Sequence, residues 1–268
     1  MKRALEVFRA TVQRFFELEG FDRAMALAGQ GFAALLPLLI VIGAVSPTDG
    51  EDAASAIIDR LDLSGQSAKV VQEAVAQPAE IQDGISVLSF LILIISALAF
   101  TRALQRLYVR AWRLEKIGLR GNAWGLEWLL LLAVYISLQP VIVGLFDGAL
   151  ATGTSLALSS AMWLLTPWLL IGRRLPWQRL LPQALLTSFA LTALGIASVV
   201  YMPRAIAVAA TQFGFIGVAF ALLSWLFSVT LVLVVTAALG STLAETAPDP
   251  GDHHPGTARR GAGGRAAA

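Results

Sequence analysis

With 268 residues, 57% of them hydrophobic and only 14% charged, the chain lies outside the soluble range, where roughly a quarter of residues are charged. The formal net charge of +2 is small, so where the charges sit is more informative than their sum. There is no cysteine, which excludes disulfides, thiolate metal sites and redox motifs.

Residues 1–26 carry Lys2, Arg3, Arg9, Arg14 and Arg23 among Leu5, Phe8, Val12, Phe15, Phe16 and Leu18. Spacings of three and four place the apolar residues on one helical face. Two readings stand: an amphipathic helix at the cytoplasmic headgroup level, or a helix packed on the cytoplasmic end of a bundle. The segment is too charged for a cleavable signal peptide, so the first apolar segment is expected to stay as an anchor.

A first span is expected over 27–45. It contains Gln30, a run of small residues that permits close helix approach, and Pro37, expected to kink it. Residues 46–84 hold eight acids against two bases and read as two short amphipathic helices forming a small outer cap. A second span, 85–101, runs into a basic helix expected over 102–120. There Arg102, Arg106, Arg110 and Arg113 follow in steps of 4, 4 and 3 on one face, before Lys116 and Arg120. This row is either an interfacial anchor for anionic headgroups or a site for a substrate phosphate or nucleic acid.

The third span, 126–146, has Gln139-Pro140 near its outer end, and the fourth, 156–171, contains Pro167. Arg173, Arg174 and Arg179 mark a return to the cytoplasmic side, and a fifth span over 180–200 carries Pro182 and Gln183. The forty residues 205–244 have no charged side chain, whereas one crossing needs only about 20. Punctuation by Gly214 and Gly217 divides this run. A short helix or re-entrant piece is expected over 205–217, holding Gln212 and packed inside the bundle. A sixth span follows over 218–239, and then a disordered cytoplasmic tail over 245–268.

The fold expected is all-α: a polytopic membrane protein with six transmembrane helices over 27–244, an amphipathic N-terminal helix and a helical outer cap. With both termini inside, the inner loops hold 17 of the 20 Lys and Arg and the outer loops hold 3, as the positive-inside bias demands.

Within the spans the one Asp, Glu, Lys, Arg or His is Glu127, at the very start of the third, and the lack of any such group deeper in argues against a pump that relies on a buried carboxylate. Gln30, Gln139, Gln183 and Gln212 remain as polar candidates, though such residues commonly bond neighbouring helices. Both histidines lie in the tail, no metal-ligand motif or Walker loop is present, and so neither an enzyme nor a cofactor is expected.

Four sets of residues carry a family resemblance. They are Ala24-x3-Ala28-Gly29-x2-Phe32-x4-Pro37; Ala103-Leu104-Gln105-x2-Tyr108; Leu175-Pro176-Trp177 with Leu181-Pro182-Gln183-Ala184; and Phe213-Gly214-x2-Gly217 ahead of Leu223-Ser224-Trp225-Leu226. In order and spacing over residues 10–245 they resemble the YihY/BrkB family. The resemblance implies a bacterial inner-membrane protein of largely undefined activity; the family has been labelled both a serum-resistance type and, by misassignment, ribonuclease BN. The chain departs from the family pattern at Gln105 (usually Asn), Phe213 (usually Tyr) and Gln183 (usually Gly). Thr236-Ala237-Ala238 stands where relatives often have Gly-Ala-Glu.

The function expected is transport or flipping of a lipid or other amphiphile. Broken helices at Pro37, Pro140 and Pro167, with Gly214 and Gly217, would border the path. Arg102, Arg106 and Arg110 would receive a phosphate. Membrane lipids are the expected partners, and nucleic acid is not. The alternative is a non-transporting envelope scaffold, and no feature of the sequence marks an oligomer seam.

Overall fold

The computed structural model describes residues 2–45, 55, 79–118 and 121–246. Among the described residues the chain is helical apart from short connections, and no strand is present. Helix α1 (Lys2–Glu17) turns through Leu18-Glu19 into α2 (Gly20–Val45), followed by α3 (Ala79–Ala111), α4 (Gly121–Val143) and α5 (Gly148–Leu170). The last helical stretch, Trp177–Thr246, spans 70 residues but is broken at Gly214, where φ is 59° and ψ −142°. It is therefore two helices, α6 (Trp177–Gly214) and α7 (Ile216–Thr246).

Five helices among the described residues are long and apolar enough to cross a membrane: Phe90–Ala111 of α3, and α4, α5, α6 and α7. The 26 residues of α2 span ~39 Å at 1.5 Å per residue, compatible with a sixth crossing. The fold is thus an all-α polytopic membrane bundle. The cap expected over 46–84 lies outside the described residues apart from Ser55 and the start of α3, and the tail from 247 onward lies outside them too.

Two expectations are corrected. The basic helix does not run from 102 to 120: α3 stops at Ala111, and Arg113 takes a left-handed φ of 50°. The Leu114 N–H folds back to the Val109 carbonyl at 2.8 Å, which closes the helix end. Arg102, Arg106 and Arg110 are helical, while Arg113 and Lys116 are not. Likewise 205–217 is not a separate short helix. α6 continues through Pro203, because proline holds a helical φ and removes one hydrogen bond without forcing a turn. The chain reverses only at Gly214, whose backbone conformation is essentially confined to glycine.

After that reversal α7 retraces α6. The Thr187 hydroxyl donates to Thr236 Oγ1 at 2.9 Å, and Trp225 Nε1 donates to Ser198 Oγ at 2.9 Å. Nearer the turn, Gly217 passes against the Ala209 carbonyl, where a Cβ would collide with backbone. Partner numbers rise on one helix as they fall on the other, so the pair is one long antiparallel hairpin. The 38 residues of α6 reach ~57 Å, well beyond a ~30 Å hydrocarbon core.

The buried core gathers at one end of the bundle. It joins Leu18, Ala24 and Leu27, the α3 segment Ala103–Ala111, Trp128, Leu169–Ile171, Leu180 and Leu233–Ala238. This is where the arginines lie, and we call it the basic end. Towards the far end the large apolar side chains, among them Ile136, Val141, Ile196, Val199 and Phe220, are exposed, as expected of surfaces facing lipid.

The Gly217 contact is backbone to backbone and cannot relax by side-chain movement. Gly217→Ala is expected to cost about 1–3 kcal/mol through overpacking and to lower the melting temperature of the detergent-solubilised protein. Gly153→Ala, at a helical position with open space around it, should be neutral or slightly stabilising.

Candidate functional site

At the basic end, the helix termini are joined by side chains that occupy orphan backbone groups. A helix C-terminus leaves four carbonyls without intrahelical partners. Gln105, on the buried face of α3, donates through Nε2 to the Leu170 carbonyl at 2.8 Å and so caps α5. Trp112 Nε1 donates to Gln183 Oε1 at 2.9 Å, tying the end of α3 to the start of α6. Gly240 makes room for Gln183, since a Cβ there would strike it. Gln105 and Gln183 therefore serve packing in this arrangement.

Arg14 binds three elements at once. Its side chain is only 4% exposed; Nη1 donates to the Ala111 carbonyl at 3.0 Å, and Nη2 pairs with both Glu245 oxygens at 2.6 Å. Thr11 and Thr242 hydroxyls add a bond at 2.9 Å. Helix α1 is thus packed on the bundle through one face, while Leu5, Phe8, Val12 and Phe16 on the other stay exposed. The packed face fits the reading of a helix set on one end of the bundle, and the other face is apolar and exposed. Arg14 was not singled out by the sequence pattern; the available signal was a lone cation in register with Val7, Thr11 and Leu18.

The arginine row occupies the exposed face of α3. Arg102 Nε donates to Asn122 Oδ1 at 3.2 Å. Arg110 reaches Glu19 at 3.5 Å, and Arg113 reaches Glu17 at 3.1 Å, holding the Glu17 carboxyl below its usual range. Arg106 has no hydrogen bond or ion pair among the described residues, but it lies near Arg23 of α2. Arg23, 20% exposed, contacts Glu19 at 3.5 Å and donates through Nε to the Leu18 carbonyl at 2.5 Å. Burial, with the charges of Arg110 and Arg106, lowers the Arg23 pKa, while Glu19 opposes that shift.

Glu19 itself adopts φ 54°, a left-handed conformation that costs of order 1–3 kcal/mol for a non-glycine residue. Its carbonyl accepts the first hydrogen bond of α2, from the Arg23 N–H at 3.1 Å. The sequence pattern singled out neither Glu19 nor Arg23 as a site residue, because their meeting with Arg110 depends on the packing of α2 against α3.

The far end holds a groove of about 910 Å³ between α6 and α7. Leu194, Ser198, Tyr201, Ala205, Val208 and Gln212 form one stripe on α6, and Gly217, Ala221, Ser224 and Ser228 face it from α7. The Trp225–Ser198 bond lies across the pair. Exposed Tyr201, Phe213, Ile216 and Phe220 form the rims. Arg204 is the charged residue among those lining the groove.

The candidate residues thus fall into separate places. Arg102, Arg106 and Arg110 share the basic end with Gln105 and Gln183. Gln212, Gly214 and Gly217 belong to the far end of the hairpin. Gln139 contacts Ser155 at 3.5 Å between α4 and α5, Pro167 is buried in α5, and Pro37 and Pro140 sit within continuous α2 and α4. Gln30 Oε1 is buried and has no hydrogen-bond partner among the described residues.

A family model described as Virulence factor BrkB matches residues 11–260. The chain belongs to the BrkB family. The match takes in α2–α7, the second half of α1 and therefore both the basic end and the groove of this BrkB-family protein. No curated protein matches the chain, and no solved structure does.

The Arg14 clamp makes a direct prediction. Glu245→Ala leaves a buried guanidinium short of its charged partner and should cost about 1–3 kcal/mol. Limited trypsin digestion should then cleave at Arg9 faster than in the parent, because α1 is released more often.

Proposed function

We propose that this BrkB-family protein moves a lipid or another amphiphilic molecule across the bacterial inner membrane, with both termini in the cytoplasm. The observation that carries this reading is the groove between α6 and α7. Its walls are apolar and lined at the floor by small residues, its size falls in the range of ligand sites, and Arg204 stands beside it. An acyl chain fits such walls, and an anionic head suits the guanidinium.

The charge distribution supports the orientation. The basic end carries the arginine row and, by the positive-inside bias, faces the cytoplasm. Arg102, Arg106 and Arg110 would meet a phosphate at the inner headgroup level while the groove serves the outer leaflet. The role needs no catalytic group and no cofactor. Its partners are membrane lipids.

Movement of fluorescent phospholipids across proteoliposomes containing the purified protein, against empty vesicles, tests the proposal. Saturable acceleration for one lipid class is expected. Ala221→Trp or Ser224→Trp should fill the groove and slow movement about tenfold, equivalent to ~1.4 kcal/mol. An Arg102/Arg106/Arg110→Gln triple variant should also be slow. No acceleration over a broad lipid panel would reject transport and leave an envelope scaffold as the reading.

A further inference from the structure

The arginine row is not uniform. Arg102 is engaged by Asn122 and Arg113 by Glu17, whereas Arg106 has no partner among the described residues. Arg110 and Arg23 approach a single carboxylate, Glu19, each at only 3.5 Å. These are loose contacts compared with the 2.7–2.9 Å of a well-formed charge-assisted bond. One carboxylate therefore serves two guanidiniums, with Arg106 close to Arg23, and leaves positive charge unmatched. The carboxylate is held there by a left-handed backbone, a conformation that persists only where the surroundings enforce it. Phe21 and Met25, one turn apart on α2, are exposed together with Phe16, but lie on the side of α2 away from Arg23, since residues two apart on a helix do not share a face.

We propose that Arg23, Arg106 and Arg110 form a binding site for a phosphate group, and that the Glu19 carboxylate occupies it when no phosphate is bound. Guanidinium forks match phosphate oxygens in pairs and are always charged, so two of them on one carboxylate, with a third near by, favour a group with more acceptor oxygens than a carboxylate. A lipid headgroup and a free phosphate both offer this chemistry. In this arrangement Glu19 competes with the ligand, and displacing it frees the α1–α2 elbow. The proposal deepens the reading of the chain as a lipid-handling protein and rests on it for the ligand class only.

The test is equilibrium binding of a fluorescent phosphatidylglycerol to the full detergent-solubilised chain, with phosphatidylcholine and inorganic phosphate as competitors. Arg106→Gln and Arg23→Gln should each weaken binding about fivefold, as expected for one arginine at a headgroup. Lys116→Gln, a like change of charge on the exposed loop, should leave it unchanged. Glu19→Gln keeps the backbone requirement and removes the competing charge, so it should tighten binding about two- to fivefold. A destabilised variant cannot mimic that gain, and Arg106, which has no described partner to lose, guards against misfolding as an explanation.

Displacement by millimolar inorganic phosphate would identify a free phosphate as the ligand. Resistance to it, with selectivity for phosphatidylglycerol over phosphatidylcholine, would identify the lipid headgroup. Equal binding of both lipids with no effect of phosphate, or unchanged binding in Arg106→Gln and Glu19→Gln, overturns the site. Vesicle transport is read separately: binding without transport rejects the transport reading and keeps the site, and transport with unaltered variants does the reverse.

Discussion

The bundle depends on the burial of the last three turns of α3. Residues from Thr101 to Ala111 are buried except Arg102, Arg106 and Arg110, so one face of each turn packs while the other carries charge. Around this segment the other helices meet. Gln105 caps α5, Ala111 receives Arg14 from α1, and Trp112 bonds Gln183 of α6. Carbonyls at helix ends must find partners wherever water is excluded, and here side chains from neighbouring helices provide them. The Gln105 and Arg14 bonds therefore fix the relative position of two helices as well as satisfying a backbone group, and the Trp112–Gln183 bond does the first alone.

This concentration of contacts makes the molecule asymmetric along its long axis. The basic end is closely packed and joined by polar bonds, while the far end presents apolar side chains outward and leaves a groove within the α6–α7 hairpin. Close approach of α6 and α7 relies on small residues, with Gly217 against Ala209 and Gly240 against Gln183. Between these two contacts the Thr187–Thr236 hydroxyl pair and the Trp225–Ser198 bond hold the helices together. Tight packing at one end and open space at the other suit a protein that is anchored at one membrane surface and handles a molecule nearer the other.

The arginines at the basic end divide by partner rather than by position in the row. Arg14 is structural, buried and fully engaged. Arg102 and Arg113 are tethered to neighbouring elements. Arg106, with Arg110 and Arg23 close by, leaves cationic capacity at a surface where anionic headgroups would lie. Exposed ion pairs contribute little stability, so the loose Glu19 contacts add little to holding the fold, and the strained elbow that places Glu19 is better understood through binding.

The sequence by itself determined the membrane class, the all-helical fold, the positions of the apolar spans and the asymmetry of charge. These follow from composition and from runs too apolar for water, properties that each segment carries without reference to its neighbours. It also marked Gly214 and Gly217 as the point of division in the forty uncharged residues. Only the tertiary structure decided that Pro203 is passed without a turn, that α7 retraces α6, and that α3 ends at Ala111. Pro182 and Pro203 have φ values a helix accepts, whereas Gly214 does not, and a residue's actual φ and ψ are not written in its type. The roles of Gln105, Gln183, Arg14, Glu19 and Arg23 were likewise decided by packing. Gln105, Gln183, Arg14 and Glu19 each meet a residue that is distant along the chain, from 65 positions for Gln105 and Leu170 to 231 for Arg14 and Glu245, and spacing along one helix holds no record of what the next helix brings against it.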